Sequence, residues 1–340
     1  MRAYFLRRLL LIPPTLLAIT LVVFLITRFA PGGPLERAEM EARVGGGGEG
    51  QRASKAGSGT QLSQEQLAQL RGYYGFDLPP VQAYFRWLGR VARGDLGSST
   101  RYQTPVTQMI WERIPVSATY GLAALALTYA VCLPLGVLKA VRHRTLTDSV
   151  TSALIFAGYA VPGYALGSLL LVFFAGHLRW FPMSGFTGRD FADLSVGGKF
   201  LDLLHHGALP LACYVVGGFA LTTMLVKNNL LDHLASDYMR TCVAKGVSFR
   251  RAVFGHAFRN SLLPVVATLG QGLTVIVGGS VLVETIFDIN GFGLLGYSAT
   301  LDRDYPVMMG ILLVAALLLL LGNILSDIFT ALLDPRIRFN

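Results

Sequence analysis

The string Gly291-Phe292-Gly293-Leu294-Leu295-Gly296 fits G-x-G-x-x-G. That pattern cradles a dinucleotide pyrophosphate when it joins a strand to a helix in a βαβ unit. Here it lies between two long apolar segments, so a tight or re-entrant turn is the expected structure. No G-x-x-x-x-G-K-S/T string occurs in the chain. It therefore carries no P-loop, and any ATP hydrolysis must belong to another subunit. His205 and His206 have only Asp202 nearby as a weak third ligand. Metal sites need three or four converging ligands, so interfacial histidines and no metal are expected. Cys132 and Cys213 fall in apolar segments and Cys242 in a basic one, and no disulfide is expected. An intramembrane hydrolase would need a Ser/His dyad or a metal cluster inside an apolar segment. No histidine lies in one, so no catalytic residue is assigned and the chain is not expected to be an enzyme.

The elements that carry these residues follow from composition. Over 340 residues, 53% are hydrophobic and only 14% charged, and mean hydropathy is +0.52. Soluble domains carry about 25% charged residues. Six segments contain no Asp, Glu, Lys, Arg or His: 9–26, 116–138, 152–175, 207–226, 263–282 and 307–325. A spanning helix needs about 20 apolar residues, and in lipid the backbone must satisfy itself internally. The fold class is therefore all-α, a polytopic membrane protein with six transmembrane helices. The first segment follows Arg7 and Arg8 as a signal peptide would, but it is longer than a usual signal core and no A-x-A site follows. A retained helix over 1–30 is expected.

The basic residues set the orientation. The N-terminus, the connections after the second and fourth segments, and the tail together hold fourteen Lys and Arg. The short connections on the other face hold four: Arg179, Arg189, Lys199 and Arg303. The positive-inside rule places both termini in the cytoplasm. It also accounts for much of the net charge of +9, so nucleic acid is not an expected partner. The large loop 31–115 is then external. Its stretch 45–60, rich in Gly and Ser, is expected to be flexible, and 61–115 to form a partly helical cap. That cap either meets a soluble partner or packs on its own spans. Residues 116–340 form a five-helix core.

Four acids, Glu284, Asp288, Asp302 and Asp304, flank the external ends of the last two spans. They are candidates to meet a cationic cargo or the basic rim of a binding protein, or else they form local ion pairs in a solvated loop. The fifth segment is small and polar for a span, with Gln271, Thr274 and Ser280 among glycines, as suits a pore-lining or tightly packed helix. Gly163 and Gly167 form G-x-x-x-G, a signature of close helix packing.

The cytoplasmic connection 227–262 is the most informative. Leu231, Leu234, Tyr238 and Thr241/Cys242 recur at helical spacing. Lys245 closes that helix, and Gly246 can supply the left-handed residue past its end. Ser248 can cap a second helix with Phe249, Val253, His256/Ala257 and Asn260 on one face. Two helices around a glycine corner make a knob, fit either to dock a soluble protein or to lie on anionic lipid.

The residues of this knob carry a resemblance. Tyr238-Met239-Arg240-Thr241-Cys242-Val243-Ala244-Lys245-Gly246, followed by Arg259-Asn260-Ser261-Leu262-Leu263-Pro264, resembles the coupling loop of ABC-importer permeases of the dipeptide/oligopeptide group. Arg240-Thr241-Cys242 departs from the E-A-A common in that loop. Arg93-Gly94-Asp95-Leu96-Gly97, Gly291-Phe292-Gly293, Arg303-Asp304-Tyr305-Pro306-Val307 and Asp334-Pro335-Arg336-Ile337 resemble the group's other strings. Ala30-Pro31-Gly32-Gly33-Pro34, residues 48–54 and 224–228 are similar to its YejB-type branch, which serves oligopeptide and microcin C importers.

The resemblance implies a multi-pass permease of the bacterial cytoplasmic (inner) membrane. It implies three kinds of partner besides lipid and peptide: a second, different permease subunit, two ATPase domains or subunits, and an external peptide-binding protein. ATP and Mg would be used by those ATPases, and no cofactor would be bound by this chain. Tyr238, Arg240, Thr241, Cys242, Ala244, Lys245, Gly246, Arg259, Asn260 and Pro264 would form the ATPase-coupling loop. The alternative is an ion- or proton-coupled secondary transporter. It would need ionisable residues within the spans, and all six segments lack them.

Overall fold

The computed structural model describes residues 2–29, 77–268 and 281–333, and the described chain is helical, with one isolated bridge between Ser98 and Pro105. Helix α1 is Arg2–Phe29, α2 Pro80–Val91 and α3 Val106–Val141. Then come α4 (Leu146–Ala160), α5 (Gly163–Leu170, continued by a π-helical turn Leu171–His177) and α6 (Val196–Leu234). Helix α7 (Asp237–Ala244), α8 (Phe249–Ala252), a π turn (Val253–Ala257), α9 (Phe258–Ser261) and α10 (Leu263–Ala267) follow. Helices α11 (Val281–Ile286), α12 (Phe292–Leu301) and α13 (Tyr305–Leu333) end the described chain. The expected flexible stretch 45–60, the first part of the cap, the polar face of the fifth segment and the Asp334-Pro335-Arg336-Ile337 string lie outside the described residues.

Four helices are long and apolar enough to cross a membrane: α1 over Leu6–Ile26, α3, α6, and α13 over Tyr305–Ala331. The expected third span is not one straight helix. Helices α4 and α5 meet at 89° and make a fifth crossing only if the pair is a single broken span. The cause is Pro162. The residue before a proline is driven out of the helical region, and Val161 is extended at φ −88°, ψ 120°. The spans carry the exposed apolar surface that lipid solvates: Leu10, Leu154, Leu169 and Leu221 are each 64–68% exposed.

Helices α3 and α6 are 36 and 39 residues long, well beyond the about 20 that hydrocarbon requires. The second span therefore begins inside what was expected to be the external cap, at Val106. Helix α6 runs on past Lys227, expected in the cytoplasmic loop. Lys139 and Lys227 are not solvated loop cations either, because both are buried.

The chain divides into two compact units. The first comprises Met1–Leu10, Arg113–Leu295 and Leu317–Asn340. In it Gly163 and Gly167 of α5 both face Cys213 of α6. A Cβ would sit 3.1 Å from the Cys213 carbonyl oxygen at the first and 3.2 Å from its Sγ at the second. The G-x-x-x-G spacing thus serves close helix packing, as expected. Arg8 pairs with Asp327 in the same unit.

The second unit comprises Leu11–Glu112 and Gly296–Ala316. There α2 packs on α1 through Tyr84 and Trp87 around Phe24, with the Thr20 and Tyr84 hydroxyls 3.0 Å apart. Val81 and Phe85 on the other face of α2 stay exposed. Gly310 of α13 leaves no room for a side chain beside Val106, whose Cγ1 would be 2.6 Å from an added Cβ.

Candidate functional site

The knob begins where α6 ends. Asp237 opens α7 and places a negative charge at its positive end. At the other end the expected corner forms. Gly246 has φ +83°, its N–H donates to the Val243 carbonyl at 2.9 Å, and the Val247 N–H donates to that of Cys242 at 3.2 Å. These two bonds make a Schellman motif, and Cys242 and Val247 share one apolar cluster, as that motif favours.

Ser248 stands at the N-cap of the second helix, but its side chain makes no capping bond. The buried face also differs from the expected one. Ala252, Val253, Ala257 and Ser261 are buried, whereas Phe249 and Asn260 are exposed. The π turn Val253–Ala257 takes an extra residue per turn, so the face after it falls one position later, at Ser261. Ala252, Val253 and Ala257 pack with Met239 of α7 on Val137, Ala140 and Leu230. The knob is therefore seated on the ends of α3 and α6 by a shared core, not by loops alone.

Its outer surface holds nine of the ten residues expected there. Tyr238, Arg240, Thr241, Ala244, Lys245, Gly246, Arg259, Asn260 and Pro264 are exposed, while Cys242 is half-buried against the core. Arg250 and Arg251 join them, with Val243, Phe249 and Phe254 as apolar patches between the charges. Arg240 meets Asp237 at 3.4 Å, an exposed pair one turn apart that contributes little. The Tyr238 hydroxyl lies 3.1 Å from His233 Nδ1. Basic groups alternating with exposed aromatics suit a protein surface that is acidic around apolar pockets.

The four acids expected on the external side divide, and for two of them the expectation is corrected. Glu284 is fully buried and Asp304 almost so, which leaves neither for a cargo or a binding protein and neither in a solvated loop. Glu284 accepts from the Ser117 hydroxyl at 2.9 Å and from the Leu294 N–H at 2.6 Å. Ser117 in turn accepts from the Phe292 N–H at 2.8 Å. Burial pushes the Glu284 carboxyl up from the usual range, while the Leu294, Ser117 and Gly293 donors pull it back. The glycine string is not itself the tight or re-entrant turn expected of it: from Phe292 on it is the start of α12, whose first turn is capped by Glu284. An added Cβ at Gly291 would lie 2.5 Å from that carboxyl group. Asp304 accepts from Ser99 and from the Thr100 N–H. Asp288 is exposed, and Asp302 meets Arg101 at 3.4 Å.

The two histidines are engaged locally. His205 Nε2 lies 2.7 Å from the Trp180 carbonyl oxygen, and His206 Nδ1 lies 3.3 Å from Asp202. Sequence reasoning missed a buried charge cluster of Lys139, Asp148 and Lys227. No spacing signal marks it, since its members sit on three different helices.

Comparison with known proteins agrees with the knob's resemblance. Residues 132–339 match the family described as "Binding-protein-dependent transport system inner membrane component". The chain is similar to the "Inner membrane ABC transporter permease protein YejB" of Escherichia coli O157:H7, with 42% identity over 361 aligned positions, all of this chain and 99% of that protein. It is 37% identical to the "Peptidoglycan transport system permease protein YejB" of Agrobacterium fabrum (strain C58 / ATCC 33970), again over all of this chain and 99% of the relative. The "Oligopeptide transport system permease protein AppB" of Bacillus subtilis (strain 168) is 34% identical over the full length of both.

Proposed function

The chain belongs to the family of binding-protein-dependent transport system inner membrane components, and on that premise we propose that it is the permease subunit of an ATP-driven peptide importer. It is a multi-pass inner-membrane protein. Its cargo is peptide, oligopeptide or microcin C-like; oligopeptide transport is what the name of the Bacillus subtilis relative carries. It crosses the membrane six times with both termini cytoplasmic. It works beside a second, different permease subunit, two ATPase subunits that use ATP and Mg, and an external binding protein that delivers the peptide. The chain binds no cofactor itself.

The observation that carries this reading is the knob. Its Schellman corner and shared core make it stiff, and its exposed arginines and aromatics fit it to grip a partner. A stiff lever is what coupling requires, because packed helices pass motion as discrete shifts rather than by bending. Tyr238, Arg240, Thr241, Ala244, Lys245, Gly246, Arg259, Asn260 and Pro264 form the surface the ATPases grip, with Cys242 bracing it from beneath. Asp288 and Asp302 remain the acids able to meet a binding protein.

The test is uptake of labelled peptide by cells expressing the full complex, with and without this chain, beside ATP hydrolysis by the purified complex. Uptake and hydrolysis stimulated by the peptide-loaded binding protein are expected only when the chain is present. Uptake unchanged by its deletion overturns the reading.

A further inference from the structure

The buried cluster of Lys139, Asp148 and Lys227 is not part of the knob's surface, yet it lies beside the knob's seat. Lys139 of α3 falls between Val137 and Ala140, and Lys227 of α6 is three residues before Leu230. Val137, Ala140 and Leu230 are the residues on which the knob core rests. Asp148 stands in the first turn of α4, the helix that leads to the 89° bend at Pro162.

The geometry is that of a joint among three helices. Both Asp148 carboxylate oxygens accept from Lys227 Nζ at 2.8 Å. Lys139 Nζ lies 3.0 Å from Asp148 Oδ1 and donates to the Asp148 carbonyl at 2.9 Å, to Thr151 at 3.0 Å and to Ser152 at 2.7 Å. The Arg144 N–H donates to Oδ2 at 3.3 Å, and His143 Nδ1 lies 3.4 Å from the same oxygen. Lys139 is fully buried, and Asp148 and Lys227 nearly so.

Two ammonium groups on one carboxylate are an expensive way to hold helices together. Taking such charges out of water costs several kcal/mol per ion, and apolar side chains of similar volume usually hold helices as well or better. What an ion cluster supplies instead is definite position, because its bonds are directional and its members cannot slide without leaving a buried charge unpaired. Nearby, α3 and α6 already touch closely, with a Cβ on Gly136 placed 2.6 Å from Val226. They can move as one body with the knob. Helix α4 is tied to that body at its first turn by Asp148.

Resting on the permease reading above, we propose that Lys139, Asp148 and Lys227 are positioning residues for transport, linking displacement of the knob to the broken α4/α5 segment. When the partner ATPases shift the knob, Lys227 carries Asp148 with it, and the first turn of α4 follows. The bend at Pro162 turns that shift into a change in the angle of α5.

The experiment uses the full complex of both permease subunits, the ATPases and the binding protein, purified and reconstituted in liposomes. The triple variant Lys139→Met, Asp148→Asn, Lys227→Met removes the charges while leaving no buried ion unpaired. It is expected to assemble and to hydrolyse ATP at the basal rate. Stimulation of hydrolysis by the peptide-loaded binding protein, and peptide uptake, should fall by about tenfold or more. Lys227→Arg alone keeps the charge pair and should retain most of the stimulation, whereas Lys227→Gln should not. Normal stimulation and uptake in the triple variant overturn the proposal. Failure of the triple variant to assemble overturns it too, since the cluster would then serve folding alone. Absence of stimulation in the unaltered complex is a different result, and it counts against the permease reading itself.

Discussion

Ser99 donates a hydrogen bond of 2.5 Å to Asp304 across 205 residues of sequence, and the Thr100 N–H donates to the other carboxylate oxygen. Two strings that resemble permease motifs, Gly94-Asp95-Leu96-Gly97 and Asp304-Tyr305-Pro306, are thereby brought into one turn-and-helix junction. Asp304 is 1% exposed. Its role is to receive the donors of the 99–101 turn, and the residue that looks like a ligand for cargo is a clasp. Asp304→Ala should destabilise the chain by about 1–3 kcal/mol, because it strands buried donors. Thermal unfolding of the purified complex in detergent measures this. A change in which peptides are taken up, with stability unaltered, would show that the clasp reading is wrong.

Gly291 makes a sharper case. Any Cβ there meets the Glu284 carboxyl group at 2.5 Å. Gly291→Ala must push Glu284 off the Leu294 N–H and the Ser117 hydroxyl, leaving a buried carboxyl with fewer partners. A loss of about 2 kcal/mol or more is expected, of the size found for buried polar groups deprived of partners. Glu284→Gln should be milder, since the amide oxygen still accepts. Equal stability of Gly291→Ala and the unaltered protein in the same unfolding assay contradicts the packing described.

Gly246 differs in that it has open space around it and φ +83°. Substitution there is penalised by backbone conformation alone, at about 1 kcal/mol for most residues and more for a β-branched one. Gly246→Val should reach the membrane in normal amounts but lose peptide uptake. Gly246→Asn, which tolerates the left-handed region, should keep most of it. Full uptake by the valine variant at normal expression removes the corner from the coupling mechanism.

The orientation is open to a direct chemical test. Cys242 is half-buried against the knob core, so it should label slowly. Val243→Cys, in a chain whose other cysteines are replaced, should label quickly with an impermeant maleimide from the cytoplasmic side only. Asp193→Cys, on an exposed turn, should label from the outside only. The reverse pattern for this pair would invert the topology and take the knob away from any cytoplasmic ATPase.

Much of this molecule was legible before any fold was known, and for local reasons. Apolar runs without charge mark spans because lipid offers the backbone no partner, and that demand is met within each segment. Gly163 and Gly167 mark close packing because small residues are needed wherever backbones approach. Gly246 marks a helix end because only glycine enters the left-handed region without penalty. What stayed hidden depends on partners far away in sequence. A carboxylate reads the same on the page whether it faces water, as Asp288 does, or caps a buried turn, as Glu284 does. Lys139 and Lys227 read as loop cations counted toward topology, and only the arrival of Asp148 from another helix makes them a buried joint. The π turn that moves the knob's apolar face to Ser261 leaves no periodic signal, because it is one extra residue in a single turn. Sequence determined the solvent each segment prefers and the corners its backbone allows, since both are settled within a few residues. Tertiary structure decided which polar groups are removed from water, because burial is a property of what packs against a residue and not of the residue itself.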